Sequence, residues 1–201
     1  MAYSDFTDIG SLSSLGVCVQ ETTQDIVISS TISTTSFLKE ALHRFVPLAA
    51  AIDTEKARSE YIIAPILSKL ATQNEQLSLF SGRNFNVDAE QGLVGFCDFI
   101  LTRNPDKLSI KSPVVIIFEA KNENINSGLA QCIAAMVAAQ IQNQREGSSD
   151  EAIYGVVTTG QVWRFLRLDP NKHVLIDLKD RYLTPIEELL GALTAMACPI
   201  S

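Results

Sequence analysis

The hydrophobic and polar positions of this chain change period several times, and the changes divide it into elements. The first 35 residues are polar and rich in Ser and Thr, with one short apolar patch at Ile26-Val27-Ile28. They read as an extended N-terminal arm (1–35) carrying at most one strand, ahead of a single domain over 36–201. From Ser36, as N-cap, a helix is expected to run toward Pro47. Asp53 or Thr54 caps a second helix over about 55–70, bent by Pro65. On that helix Glu60 falls at helical spacing from Ile63, Leu67 and Leu70, which places it on the inward stripe.

The period then shortens to that of strands. Leu77-Ser78-Leu79-Phe80 reads as one, Ser81-Gly82-Arg83-Asn84 as a turn, and 93–101 as a second strand. Asn104-Pro105-Asp106 marks a turn before a third strand at 113–121. Asn126 or Ser127 caps a long Ala-rich helix reaching about 144. A polar loop follows at 146–151, then strands at 153–159 and 161–168 around Gly160, and a short one at 173–178. Thr184-Pro185 opens a last helix with Pro at its first position. Helices interleaved with a group of strands predict an α/β fold, a central mixed sheet flanked by helices.

The third strand carries the strongest chemical signal. Pro113 to Lys121 reads Pro-Val-Val-Ile-Ile-Phe-Glu-Ala-Lys, an apolar run of the kind buried on both faces of a sheet. Alternation puts Glu119 and Lys121 on one face at its end, where charge is costly unless it has a partner or a task. Asp98 lies within the otherwise apolar Gly95-Phe96-Cys97-Asp98-Phe99-Ile100-Leu101. A hairpin centred near residue 108 sets Asp98 opposite Phe118 or Glu119. Ten residues past Lys121, Gln131 aligns with Ala135 and Ala138 on a small-residue helix face able to approach the sheet closely.

An acidic helix residue, a strand Asp, Glu-x-Lys and a helix Gln, in this order, resemble the PD-(D/E)xK nuclease superfamily and its restriction-endonuclease-like fold. Glu60 looks like the first-motif acid, Asp98 the second-motif aspartate, Glu119 and Lys121 the third motif, and Gln131 the fourth-motif glutamine. The stretch Gly155-Val156-Val157-Thr158-Thr159-Gly160-Gln161-Val162-Trp163-Arg164-Phe165 is similar to the strand pair that closes the nuclease domain of type I restriction subunits. The resemblance covers roughly 55–180 and departs from the pattern at Cys97, where a proline is usual. It implies a Mg²⁺ or Mn²⁺ cofactor held by Asp98, Glu119 and the Ala120 carbonyl, with Lys121 acting on the water and the developing charge. The implied partner is nucleic acid, DNA first.

Composition changes this picture in one respect. The 201 residues carry a net charge of −7, which counts against a nonspecific nucleic-acid binder. It favours an alternative, a catalytically inactive nuclease-like protein serving as a binding or assembly subunit, with a homodimer or a partner subunit in view. A third reading is a plain α/β interaction domain in which Glu-x-Lys is coincidence. No basic-then-apolar leader is evident at the start and no run approaches ~18 apolar residues, so no membrane span is expected. Cys18, Cys97, Cys132 and Cys198 are scattered without a CxxC pair, which suits reduced thiols and a cytoplasmic setting. His43 and His173 lack any nearby metal-ligand spacing and read as structural. The loop carrying Lys107 and Lys111 is the best sequence candidate for a phosphate contact.

Overall fold

A computed structural model describes residues 1–148 and 151–198. Its centre is an eight-stranded mixed sheet. Along its main path the order is β1 (Cys18–Thr22), β7 (His173–Asp177), β6 (Val162–Leu168), β5 (Ile153–Thr158), β4 (Val114–Ala120), β3 (Phe96–Thr102) and β2 (Ser78–Asn84), with β8 (Arg181–Tyr182) pairing with β6. β2, β3 and β4 form an antiparallel meander; β5 lies parallel to β4 after a helical crossover. β4 is buried along its whole length, as its unbroken apolar run demands.

Helix α4 (Leu129–Arg145) covers one face together with two N-terminal 3-10 turns, Tyr3–Asp5 and Ile9–Leu15. On the other face lie α1 (Ser36–Ile52), the short α2 (Glu55–Arg58), α3 (Ala64–Thr72) and α5 (Ile186–Ala197). The two faces carry separate apolar clusters, so the sheet is sandwiched between them.

Several local expectations are corrected. The arm is no loose extension: Tyr3, Phe6, Leu12 and Leu15 are buried in the α4-side core. Its strand is Cys18–Thr22 rather than the Ile26-Val27-Ile28 patch, of which Val27 is buried and Ile28 is 93% exposed. α1 begins after Thr35, whose hydroxyl caps Leu38 N–H, and runs through Pro47 to Ile52. The segment 81–84 continues β2 instead of turning. Pro185 is the N-cap of α5, one position earlier than expected. Thr54 does cap the next helix, accepting from Ala57 N–H at 3.1 Å.

Two contacts fix α4 against the sheet. Asn143, 3% exposed, acts as a surrogate peptide: its Oδ1 accepts from Val114 N–H at 2.8 Å and its Nδ2 donates to Val114 O at 2.9 Å. Gly155 lies under the helix, where an added Cβ would sit 2.9 Å from Cys132 Sγ and against Met136 Sδ. Gly155→Ala should therefore cost about 1–3 kcal/mol by overpacking, read as a lower denaturant midpoint with an unchanged slope; an unshifted midpoint would show that α4 can slide away.

Candidate functional site

The hairpin register places the acids together. Phe99 pairs with Phe118, and one further step sets Asp98 across from Glu119. Asp98 Oδ2 accepts from Ala120 N–H at 2.7 Å, which ties the aspartate to the neighbouring strand. The row continues from Glu119 to Val157 on β5 and from Val157 to Arg164 on β6. Lys121 stands one residue past β4; its N–H donates to Thr158 O at 2.8 Å, and its Nζ reaches Glu119 Oε1 at 2.6 Å.

Gly128, at the start of α4, allows this packing. A Cβ there would lie 2.7 Å from Val157 Cγ1 and 3.0 Å from Lys121 Cε, so any side chain would displace the lysine stem. Nothing in the local sequence singles Gly128 out, because the contact is made only once β4, β5 and α4 have assembled.

The electrostatics follow from burial. Glu119 is 3% exposed, and its carboxyl is pushed up to about 8 by desolvation and by Asp98; the Lys121 ammonium opposes this without prevailing, and Glu55 adds to it. Asp98 is raised, chiefly by burial, against the pull of Ala120 N–H, Lys121 and Lys56. Burial works against the charge on Lys121, but Glu119, Glu55 and Asp98 outweigh it and hold its pKa above the ordinary value. Near neutral pH the cluster thus retains a proton beyond the usual carboxylate range, and that proton belongs to the group rather than to one residue. Beneath it, the Cys97 and Cys132 thiols are pushed up, first by burial and then by Glu119.

Glu60 is not the helix acid of this cluster. It is exposed and pairs with Lys56 at 3.0 Å. The reason is a π turn over Ser59–Ile63: its extra residue breaks the regular 3.6-residue count, so the stripe traced back from Leu70 and Leu67 does not extend to Glu60. Glu55, in the first turn of α2, is exposed as well, but its charge is felt by Glu119 and Lys121. Its carboxyl is raised by burial, lowered by Lys121 and raised again by Asp98.

Gln131 is half-buried in the first turn of α4, on the stripe of the fully covered Ala135 and Ala138; among the described residues no hydrogen bond joins it to Glu119 or Lys121. The Lys107–Lys111 loop is displaced from the site. It precedes β4, whose seven residues span about 20 Å, and its charges are used locally: Lys107 Nζ on Leu77 O and Ser78 Oγ, Lys111 on Asp106.

No protein-family model matches this chain, and no curated protein matches it either. The site must be argued from its own geometry. Among the described residues no helix is long and apolar enough to cross a membrane, and no group of three or more His, Cys, Asp or Glu side chains is disposed to hold a metal ion.

Proposed function

We propose that the protein is a divalent-metal-dependent nuclease with a restriction-endonuclease-like fold, acting on nucleic-acid phosphodiesters, DNA first, in a cytoplasmic setting. The observation that carries the reading is Asp98 and Glu119 facing one another at the end of a fully buried strand, with the Lys121 ammonium 2.6 Å from Glu119. Buried acids without enough compensating charge are what a cation site contains before it is filled.

The donor set fits Mg²⁺ or Mn²⁺, which take oxygen ligands and keep several waters. Asp98 and Glu119 each use one carboxylate oxygen in a hydrogen bond among the described residues, leaving Oδ1 and Oε2 for a cation, with the Ala120 carbonyl as a third protein oxygen. When bound, the cation would polarise the phosphate and lower the pKa of a coordinated water. Lys121 then supplies a positive charge beside the phosphorus as negative charge develops. Glu55 takes the helix-acid role assigned from sequence to Glu60, and Gln131 lines the approach on α4.

A second reading, an inactive relative acting as an assembly subunit in a homodimer or with a partner, is favoured by the closed Lys121–Glu119 pair and the net charge of −7. One experiment separates them. Parent and Lys121→Met protein are incubated with plasmid DNA and labelled RNA in Mg²⁺ or Mn²⁺. On the nuclease reading the parent cleaves slowly and chelator stops it; Lys121→Met, which keeps the stem volume, is at least ~100-fold slower, in the range expected for loss of one transition-state charge contact. Absence of cleavage by the folded parent on every substrate supports the assembly reading instead. Substrate capture should be weak, because a chain of net charge −7 repels the phosphate backbone.

A further inference from the structure

The parallel pairing of β1 with β7 creates a second constellation, remote in sequence and separate from the acids of β3 and β4. Cys18 and His173 are direct partners in that pairing, so their side chains share one face of the sheet. Both are exposed, and both line an open cleft of about 260 Å³ together with Gln20, Arg167, Asp169 and Leu175. Among the described residues its lining comes from β1, β6, β7 and the turn at Asp169.

The imidazole is oriented. His173 Nδ1 lies 3.4 Å from Asp169 Oδ2, and Asp169 is itself held by the N–H groups of Asn171 and His173 on Oδ1, at 2.8 and 2.9 Å. Burial disfavours the Asp169 carboxylate, but those N–H groups, His173 and Arg167 outweigh it and keep its pKa below the ordinary value. With Nδ1 beside the Asp169 carboxylate, Nε2 is the nitrogen left to accept a proton, and a shift of a few tenths of an ångström would give the hydrogen bond by which a carboxylate fixes a histidine base. Arg167, from β6, has no ion pair among the described residues. Lys172, the nearest other cation in the chain, is turned away and donates to Leu15 O at 3.0 Å.

We infer that Cys18 is a reactive thiol that undergoes exchange with low-molecular-weight disulfides bearing carboxylates, with His173 as its base and Arg167 as the contact for the carboxylate. The Cys18 proton passes to His173 Nε2 as the thiolate attacks one sulfur of the disulfide. A new Sγ–S bond forms while the incoming S–S bond breaks, and the departing thiolate recovers the proton from the imidazolium. Cys18 is oxidised to a mixed disulfide and the reagent is reduced to one free thiol, with no other oxidant needed. Asp169 is a positioning residue. Cys97 and Cys132 cannot compete, being buried with their thiols pushed up.

The test uses the full chain with oxidised glutathione, and with cystamine as a disulfide of opposite charge, followed by intact mass and peptide mapping. The expected result is a single glutathione adduct on Cys18. It should form at least ~10-fold faster than on Cys198 and ~10-fold faster than in His173→Gln, a modest part of what a positioned base contributes. Arg167→Gln should erase the preference for glutathione over cystamine, chiefly by slowing the glutathione reaction. The pH profile of the rate should lose its His-dependent limb only in His173→Gln. Modification of Cys198 before Cys18, or equal rates in parent and His173→Gln with both folded by circular dichroism, overturns the inference; retention of the glutathione preference in Arg167→Gln overturns the assigned carboxylate contact.

Discussion

Above pH 8 and without metal, Glu119→Gln is expected to be more stable than the parent, and Mn²⁺ should reverse the order. Centred on Glu119, the cluster keeps a proton to about pH 8, against 4.5 for a free carboxyl. Between those values the folded chain binds more protons than the unfolded one, so the stability of the parent falls as pH rises through this window. The benefit of the neutral form is complete below 4.5 and gone above about 8, a loss on the order of a few kcal/mol. Glutamine presents the same acceptor to Lys121 without a charge to desolvate, so its stability should be flat over this range. Denaturant midpoints at pH 5 and pH 8.5 check the slope; parallel slopes in the two proteins would assign the proton elsewhere. A cation bound only by the folded parent adds stability by mass action. Millimolar Mn²⁺ should therefore raise the parent's melting temperature at pH 8.5 and leave Glu119→Gln where it was. An equal rise in both would place the ion at another site.

The second large effect is structural. Asn143→Leu fills nearly the same space but removes both hydrogen bonds that the side chain gives to Val114. The strand's first N–H and C=O are then buried without partners, at about 1–3 kcal/mol each. A loss of about 2–5 kcal/mol is expected in urea denaturation. On the nuclease reading, cleavage by the residual folded protein should be unaltered, since Val114 and Glu119 occupy opposite ends of β4. A variant of native stability would mean that water replaces the amide at this position.

The elements that local pattern could reveal are those whose residues meet their neighbours nearby. β4 is legible because burial on both faces leaves an unbroken apolar run, and the hairpin follows because β3 and β4 are consecutive strands: a register centred near residue 108 sets Asp98 opposite Phe118 or Glu119, and the observed Phe99–Phe118 pair, continued by one step, selects Glu119. Thr54 was visible as a cap because capping is a local act. What was hidden depended on contacts distant in sequence or on irregular backbone. The π turn at Ser59–Ile63 takes Glu60 off the inward stripe and leaves it paired with Lys56, since periodicity assumes a regular helix. Gly128 owes its role to Lys121 and Val157, which reach it only through the crossover. His173 read as bland because its cysteine and its cleft come from the far end of the chain.

That last pairing also orders events in time. Cys18–Thr22 can find its place only against His173–Asp177, and Lys172 closes the same junction onto Leu15 across 157 residues. During synthesis the N-terminal strand must therefore wait, solvated, until nearly the whole chain has emerged, while the meander and the α4 crossover are free to form from sequential neighbours. Its sequence, Cys-Val-Gln-Glu-Thr, has one aliphatic residue and suits a segment that spends that interval unpaired without offering an apolar edge to other chains. This edge strand is thus made long before the partner that seats it, and its amide protons should exchange earlier than those of the central strands β4 and β5.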